Sequence, residues 1–316
     1  MNEPQFHLPA NAIIGRERMA DGASIRTLLL PHDRPVSNLL LLTGRADFHE
    51  KWADAIRHLH EAGFAIASFD WRGQGGSSRL IDSGAGHIDS FETWLSDLDR
   101  LSGWALNALP GPRWLALGHS MGGHLLTRWA GDPARAGLPF RTELDGLVLA
   151  APFYGLGGPM AMRAAAMRVA PVQVRRGRAA EFAWGQRPYG TLQQAPARQL
   201  LLTGSRAHFE DEGRWVAAHP ELATGGVSWG WIDAFAHSQR RLDSLPLEQF
   251  DLPVLMMLAA REKLVDNKAA LKVAARLPMS RTHVVQAAAH ELLREAEPQL
   301  KEALEQIRRF AREVTK

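Results

Sequence analysis

The sequence predicts an α/β fold with a mostly parallel, doubly wound sheet and one inserted region. Short, almost continuous apolar runs alternate with longer segments of helical pattern, as expected for strands buried on both faces of a parallel sheet. The alternation stops over residues 155–245, which are rich in Gly, Pro and Trp, and a strand-like run follows them. We therefore expect one core in two parts, residues 1–154 and 246–316, separated by an insertion over residues 155–245.

The predicted elements follow one another in an order typical of such a sheet. The apolar runs are short, and most of them end at Gly, Asp or Ala, where a turn can begin. The predicted strands cover residues 38–44, 64–70, 113–118, 145–151, 252–260 and 281–286, and the predicted helices cover residues 50–62, 91–109, 121–130 and 298–314.

The composition of the 316 residues excludes several functions. With 46% hydrophobic and 22% charged residues, it is typical of a soluble globular protein. The absence of cysteine excludes disulfides, thiol catalysis and cysteine-ligated metals. The formal net charge is only +3, and the sequence has neither a Lys/Arg-rich block nor a recognition motif, so we expect no nucleic-acid partner.

The first residues and the hydropathy of the chain bear on its location. The stretch over residues 1–22 lacks the charged start and apolar core of a signal peptide. No apolar run reaches the roughly 18 residues that a membrane-spanning helix requires. We expect a cytoplasmic protein, with any membrane contact being peripheral and on the inner face.

A serine between two glycines marks the candidate reactive position. Gly118-His119-Ser120-Met121-Gly122 matches G-x-S-x-G, with a buried strand before it and a helix after it. This context predicts a nucleophile elbow, in which a strained turn exposes the serine hydroxyl and the glycines allow close packing. The alternative is a glycine-rich turn whose serine has no chemical role.

A serine hydroxyl needs a base, and the order of elements indicates His290. In this type of fold the base follows the last strand, and His290 follows the predicted strand over residues 281–286. The alternative is a surface histidine that begins a helix. The stretch HELLRE, which begins at His290, lacks the second histidine of H-E-x-x-H, so we expect no metal.

The base needs a carboxylate, and two are available after the strand over residues 252–260. Glu262 lies at the end of that strand, where a triad acid belongs. Asp266 comes a turn later, where it would cap the next helix. Glu262 is the preferred acid, with Asp266 as the alternative.

The oxyanion of an acyl-transfer intermediate needs backbone N–H donors. One is expected from Met121, which follows the serine, and the other from Arg45, in the loop after the first predicted core strand. The Arg45 side chain is then expected to be free to face solvent or a substrate headgroup. The stretch DWRGQGGSS, residues 70–78, lacks the pattern of a phosphate-binding loop and is interpreted as a tight turn under the elbow, so no cofactor is expected.

Six stretches together resemble the lysophospholipase and monoacylglycerol lipase group of α/β-hydrolases, bacterial lysophospholipases above all. They are TGRADFHEKW, FDWRGQGGSSRL, GHSMGGHLL, LVLAAPFYGL, REKLVDN and AAHELLRE. The resemblance runs from about residue 38 to residue 310. It implies an α/β-hydrolase fold, a cap (lid) over the active site, and removal of a single acyl chain from a glycerol-based lipid. It places the nucleophile and base on Ser120 and His290, and the acid on Glu262, where aspartate is commoner.

The insertion is the expected site of substrate choice. It carries eleven arginines and seven acids, and residues 160–178 contain no acid. Arg175 and Arg176 are candidates for a phospholipid headgroup, and this basic segment for peripheral contact with an anionic membrane surface; a solvated cap helix is the alternative. Trp184, Trp215, Trp229 and Trp231 are candidates for an acyl-chain tunnel, although aromatic residues are more often core.

Other functions fit the same residues. A small-ester esterase or a proline-type serine aminopeptidase would use the same triad, because substrate choice resides in the inserted region. An aminopeptidase would need acids near the site to hold the substrate amine, and the positive charge of the insertion argues against that. A binding protein without catalysis would be expected to lack a triad member.

Overall fold

The structure, a computed structural model, describes residues 3–111, 113–157, 160–190 and 195–315. The strands are β1 (Ile13–Arg18), β2 (Ser24–Leu30), β3 (Ser37–Leu42), β4 (Phe64–Phe69), β5 (Trp114–His119), β6 (Leu144–Ala150), β7 (Val254–Ala259) and β8 (Ser280–Val285). The helices are α1 (Ala53–Glu61), α2 (Phe91–Ala108), α3 (Met121–Gly131), α4 (Pro139–Thr142), α5 (Met160–Arg175), α6 (Pro196–Leu202), α7 (Arg206–Ala218), α8 (Trp229–Ser244), α9 (Asn267–Ala274) and α10 (Gln299–Val314).

The described strands form a single sheet in the order β1-β2-β4-β3-β5-β6-β7-β8. From β4 to β8 all neighbours are parallel, whereas β1 pairs with β2, and β2 with β4, in antiparallel fashion. The predicted mostly parallel, doubly wound sheet is confirmed. In such a sheet the carboxyl ends of the parallel strands lie along one edge, which is where a site is expected.

Helices cover both faces of the sheet. One apolar core joins α2, α3, α8 and α9 to one face, and a second joins α1 and α10 to the other. The strands between these cores are buried throughout their length in β3, β4, β5 and β7, which explains their nearly continuous apolar sequences. Burial of each large apolar side chain contributes about 1.5–3 kcal/mol to folding.

The antiparallel pair β1 and β2 is not among the strands predicted from the sequence. The side chains of β1 are exposed or half-buried, and those of β2 alternate in burial over its first residues. β1 is an edge strand, and β2, between β1 and β4, is only partly covered over its first residues, so neither has the continuous apolar run that marks a strand buried on both faces.

The segment between β6 and β7, which we call the inserted segment (residues 155–245), carries α5 to α8. Residues 158–159 and 191–194 of this segment lie outside the described ranges. Its contacts with the core include parallel bridge pairing between Gly86 and Val227. Within the described ranges, no helix is both long enough and apolar enough to cross a membrane.

A buried ion cluster joins the inserted segment to the core around Lys51, which precedes α1. The ammonium nitrogen of Lys51 lies 2.8 Å from Asp47, 3.0 Å from Glu212 of α7 and 2.9 Å from Glu291. Arg294 pairs in turn with Glu291. The side chain of Lys51 is only 5% exposed, so its charge is neutralised by these carboxylates rather than by water.

The pKa shifts in this cluster reflect the mutual attraction of its charges. Burial alone would lower the pKa of Lys51, but the three carboxylates raise it above its ordinary value. Burial alone would raise the pKa of Glu291, but Arg294 and Lys51 hold it well below its usual range. Burial alone would raise the pKa of Asp47, but the charge and hydrogen bond of Lys51, together with His119, lower it. The charged forms therefore stabilise the folded protein.

Replacement of Lys51 by methionine should destabilise the protein by about 3–5 kcal/mol at pH 7, because it leaves buried carboxylates without a cation. In the wild type the lowered pKa values keep these carboxylates ionised and paired at pH 4. In the variant, burial without the Lys51 cation raises their pKa values, so they take up protons as the pH falls and the cost of burying them is relieved. The difference in unfolding free energy between the two proteins should therefore shrink on going from pH 7 to about pH 4.

The measurement is denaturant unfolding of both proteins at each pH. The exposed Lys272 of α9 supplies the control, since Lys272→Met should change little at either pH. A difference that is equally large at pH 4 would contradict a charge-based role for Lys51.

Candidate active site

Ser120 lies at the sharp turn between β5 and α3. Its backbone angles, φ 50° and ψ −115°, are strained for a residue with a side chain. The turn is held by hydrogen bonds from the N–H of Ser120 to the carbonyl of Ala150, 3.0 Å, and from the N–H of Phe153 to the carbonyl of Ser120, 2.9 Å. The geometry is that of a nucleophile elbow.

The two glycines that flank Ser120 allow α3 to pack closely against the sheet. A Cβ atom at Gly118 would lie 2.7 Å from the carbonyl oxygen of Gly122. A Cβ atom at Gly122 would overlap the carbonyl oxygens of Leu42 and Thr43 at the end of β3. Neither position has room for another residue.

A continuous hydrogen-bonded chain joins Ser120, His290 and Glu262. The Oγ atom of Ser120 lies 2.9 Å from Nε2 of His290. The Nδ1 atom of His290 lies 2.8 Å from Oε2 of Glu262. His290 and Glu262 are both largely buried, with side chains 6% and 1% exposed, so their interaction is shielded from water.

The turn after β7 explains how a glutamate serves in this position. Oε1 of Glu262 accepts hydrogen bonds from the N–H groups of Lys263, Leu264 and Val265, at 3.0, 2.8 and 3.2 Å. Its longer side chain thus folds against its own loop while Oε2 reaches His290. Burial would raise the pKa of Glu262, but His290 and these N–H groups lower it, so the carboxylate is ionised.

The alternative acid, Asp266, caps α9. Its Oδ1 atom accepts from the N–H of Lys268 at 2.9 Å and from that of Ala269 at 3.4 Å. The hydrogen bond to Nδ1 of His290 comes from Glu262. Among the two candidates, the structure therefore brings Glu262 to the histidine.

The backbone N–H groups of Arg45 and Met121 are available beside Ser120. Within the described ranges, neither donates a hydrogen bond to a protein acceptor. The loop of Arg45 approaches the serine closely, since a Cβ atom at Gly44 would lie 3.2 Å from Cβ of Ser120. Two free donors near the hydroxyl have the chemistry of an oxyanion hole.

Side chains that the sequence analysis did not identify hold this loop. Gln74 donates from Nε2 to the carbonyl of Gly44, 2.8 Å, and accepts at Oε1 from the N–H of Ala46, 3.1 Å. Asp47 accepts from the N–H of Gly44 at 2.7 Å. The stretch over residues 70–78 therefore does more than turn under the elbow, because its glutamine fixes the loop of Arg45.

Two other histidines lie near Ser120 without contacting its hydroxyl. His119 is buried against Trp52 and His290, and burial, with the charge of His290, lowers its pKa to about 4. His124 lies 2.6 Å from the hydroxyl of Ser238 through Nε2, and burial lowers its pKa to about 3. Both rings are therefore neutral at pH 7.

Ser120 and His290 open into a cavity of about 380 Å³ between the core and the inserted segment. Of the tryptophan candidates, Trp184, Trp229 and Trp231 line this cavity. Trp215 does not, because it packs against the N-terminal stretch and donates from Nε1 to the carbonyl of Phe6, 3.1 Å.

The arginine candidates of α5 also lie away from the cavity. Arg175 and the adjacent Arg176 are exposed and are not among its lining residues. Arg198, at the start of α6, lines it instead. The sequence predicted that the side chain of Arg45 would be free. In the structure it is not, because its Nη1 atom donates to the carbonyl of Gly225, 2.9 Å. Only the folding of α6 over the core reveals Arg198, since nothing in its local sequence sets it apart.

The inserted segment is bonded directly to the loop of His290. The N–H of Glu291 donates to the carbonyl of Leu202 at 2.7 Å, and the N–H of His290 to that of Leu201 at 3.4 Å. Both carbonyls belong to α6. The position of the histidine thus depends on the inserted segment as well as on the core.

Known proteins resemble this chain over most of its length. A model of the Hydrolase_4 family, described as serine aminopeptidase, S33, matches residues 33–297. A protein of Haemophilus influenzae named probable lysophospholipase L2 is 24% identical over 98% of both chains. Lysophospholipase L2 of Escherichia coli is 28% identical over 87% of this chain and 79% of its own.

Solved structures agree in fold. A soluble variant of monoglyceride lipase from Saccharomyces cerevisiae superposes with a TM-score of 0.77 at 17% identity, covering 98% of each chain. The predicted α/β-hydrolase fold is confirmed, and so is the predicted enzyme class, a hydrolase of carboxylic esters. Because the family model matches most of the chain, the chain belongs to the Hydrolase_4 family of α/β-hydrolases.

Proposed function

We propose that the enzyme removes a single acyl chain from a lysophospholipid or a monoacylglycerol. The observation that carries this proposal is the hydrogen-bonded chain Ser120–His290–Glu262 at a largely apolar cavity. The names of the relatives, lysophospholipases and a monoglyceride lipase, support this class of lipid ester.

In the proposed reaction His290 takes the proton of Ser120 as its oxygen attacks the ester carbonyl. Glu262 holds Nδ1 of the ring protonated and stabilises the imidazolium that forms. The N–H groups of Arg45 and Met121 bind the oxyanion of the tetrahedral intermediate. The imidazolium then protonates the glycerol oxygen as it leaves, and a water molecule, activated by the same histidine, releases the fatty acid from the acyl-enzyme.

The inserted segment, residues 155–245, acts in this proposal as a cap that selects the substrate. It contributes part of the lining of the cavity into which Ser120 and His290 open. The acyl chain is received by apolar side chains from the core and the cap: Phe153, Leu156, Ala166, Trp231, Ile232, Phe235, Leu264 and Val265. Such a lining favours a hydrocarbon chain over a polar acyl group.

The alternative functions on the same triad are a small-ester esterase and a proline-type serine aminopeptidase, the latter in keeping with the description of the family. An aminopeptidase would need carboxylates free to hold a substrate amine. The acids that line the cavity, Asp47, Glu212 and Glu291, all bind Lys51. This pairing favours the lipid ester.

The cap also suits peripheral contact with an anionic membrane surface. Three of its large apolar side chains are highly exposed: Met162 by 71%, Trp184 by 63% and Leu200 by 64%. Trp184 also borders the cavity, so a membrane bound here would lie near its opening. Exposed apolar groups beside basic residues favour the surface of an anionic bilayer.

We expect the protein to sediment with vesicles that contain phosphatidylglycerol and to bind less to vesicles of phosphatidylcholine alone. Replacement of Trp184 by serine should weaken the binding to anionic vesicles several-fold, whereas Arg308→Gln, on the exposed face of α10, should not. Equal binding by wild type and the Trp184 variant would rule out this surface.

Ser120→Ala should abolish ester hydrolysis, since loss of a triad nucleophile costs about 10⁶ in kcat. The test compares wild type and variant on lysophosphatidylcholine, monoacylglycerol, a short-chain ester and an aminoacyl-proline amide. Wild type should act fastest on the first two. Preference for the amide would support the aminopeptidase, and a variant with a tenth of wild-type activity would refute the nucleophile.

Glu262→Gln should reduce kcat far more than Asp266→Asn. An amide at position 262 can favour the wrong tautomer of His290, which in other triads costs about 10⁴ in kcat. Asparagine caps a helix almost as well as aspartate, so the position 266 variant should lose only a few-fold. The kcat of each variant is measured at saturating substrate. A larger loss of kcat in Asp266→Asn than in Glu262→Gln would reassign the triad acid to Asp266.

A further inference from the structure

Two arginines that line the cavity come from separate parts of the fold. Arg45 belongs to the loop after β3, and Arg198 to the start of α6 in the inserted segment. They are close enough for the charge of Arg198 to act on Arg45: burial, and then Arg198, lower the pKa of Arg45 to about 10. At this pKa the guanidinium group of Arg45 is still positively charged at pH 7.

The side chain of Arg45 is held in place by backbone on two sides. Its Nη1 atom donates to the carbonyl of Gly225. The backbone of Gly86 packs against the same atom, since a Cβ atom there would lie 3.3 Å from it. A guanidinium fixed in this way loses little further side-chain freedom when a ligand binds.

Neither arginine has a carboxylate partner in the described part of the chain, where no acidic oxygen lies within salt-bridge distance of either one. The other inner cations differ, since Lys51 binds Asp47, Glu212 and Glu291, and Arg294 binds Glu291. Asp47 and Glu212 attract Arg45 only from beyond salt-bridge distance. Two like charges therefore face one cavity without a direct carboxylate partner, an arrangement that a bound anion would stabilise.

We infer that Arg45 and Arg198 form an anion subsite that binds the phosphate of a substrate headgroup. The inference rests on the proposed function and narrows its substrate to phosphate-bearing monoacyl lipids. Guanidinium groups bind phosphate oxygens through paired, charge-assisted hydrogen bonds, which makes arginine the suitable residue.

The position of Arg45 relative to Ser120 fits the spacing in a lysophospholipid. In such a lipid only the glycerol backbone separates the ester from the phosphate. In the protein only the aliphatic part of one side chain separates the N–H of Arg45, beside Ser120, from its guanidinium. The phosphate is common to all lysophospholipids, so the subsite discriminates against uncharged monoacylglycerols but not among headgroups.

The test is the ratio of kcat/KM for lysophosphatidylcholine to that for a monoacylglycerol with the same acyl chain, measured below micelle-forming concentrations. Arg198→Gln and Arg45→Gln should each lower this ratio about tenfold, corresponding to a charge-assisted hydrogen bond of about 1.4 kcal/mol, chiefly through KM. Arg198→Lys should recover part of the loss. Arg308→Gln, which removes an exposed arginine of α10, should leave the ratio unchanged.

Equilibrium binding to Ser120→Ala separates this inference from the proposed function, because it requires no turnover. Glycerophosphocholine should bind to this variant, and more weakly once Arg198→Gln is added. If wild type hydrolyses neither lipid, the proposed function fails while this binding result still decides the subsite. A kcat/KM ratio unchanged in both arginine variants would overturn the inference, as would inorganic phosphate binding as tightly as glycerophosphocholine.

Discussion

The left-handed backbone at Ser120 is the constraint on which the rest of the site depends. A non-glycine residue in a sparsely populated conformation costs about 1–3 kcal/mol, so the surrounding structure must hold it there. Hydrogen bonds from β6 and from the turn that follows it do so, and Gly122 brings the first turn of α3 against the end of β3. The same close packing brings the loop of Arg45 beside the serine. The hydroxyl and the two N–H donors thus derive from one packing arrangement.

Much of this could be predicted from the sequence, because the decisive signals are local. Ser120 is marked by its two glycines, and Glu262 and His290 by their places after strands, and all three meet in the structure. The preference of His290 for Glu262 over Asp266 was expected from position alone. Its physical reason, three backbone donors that fold the longer side chain back on its loop, became visible only in three dimensions.

The features that escaped prediction depend on contacts between distant parts of the chain. Lys51 gains its role from carboxylates in α7 and in the loop of His290, and Gln74 from a loop that precedes it by about thirty residues. Arg198 was missed and Arg175 preferred because local charge density was the only guide. Once folded, α5 presents Arg175 to solvent, whereas α6 brings Arg198 to the cavity. Tertiary contacts, which periodicity does not encode, decide such cases.

The charges of the cavity divide into two regions of different character. Around Lys51 two cations and three carboxylates lie in direct contact, and their ion pairs hold the inserted segment to the core. Arg45 and Arg198 line the same cavity without a direct carboxylate partner in the described part of the chain, and Asp47 and Glu212 act on Arg45 only from a distance. The apolar surroundings of the cavity strengthen the electrostatic interactions in both regions, since water screens neither of them fully.

The hydrogen bonds between α6 and the loop of His290 have a consequence for how the enzyme moves. A shift of α6 large enough to widen the cavity would also pull on the backbone of the histidine and lengthen its bond to Ser120. The enzyme would then be catalytically inactive while α6 is displaced, and it would become active only when α6 returned over the bound lipid. Product exchange and bond cleavage would alternate, so that the acyl-enzyme would be protected from premature exposure to bulk water.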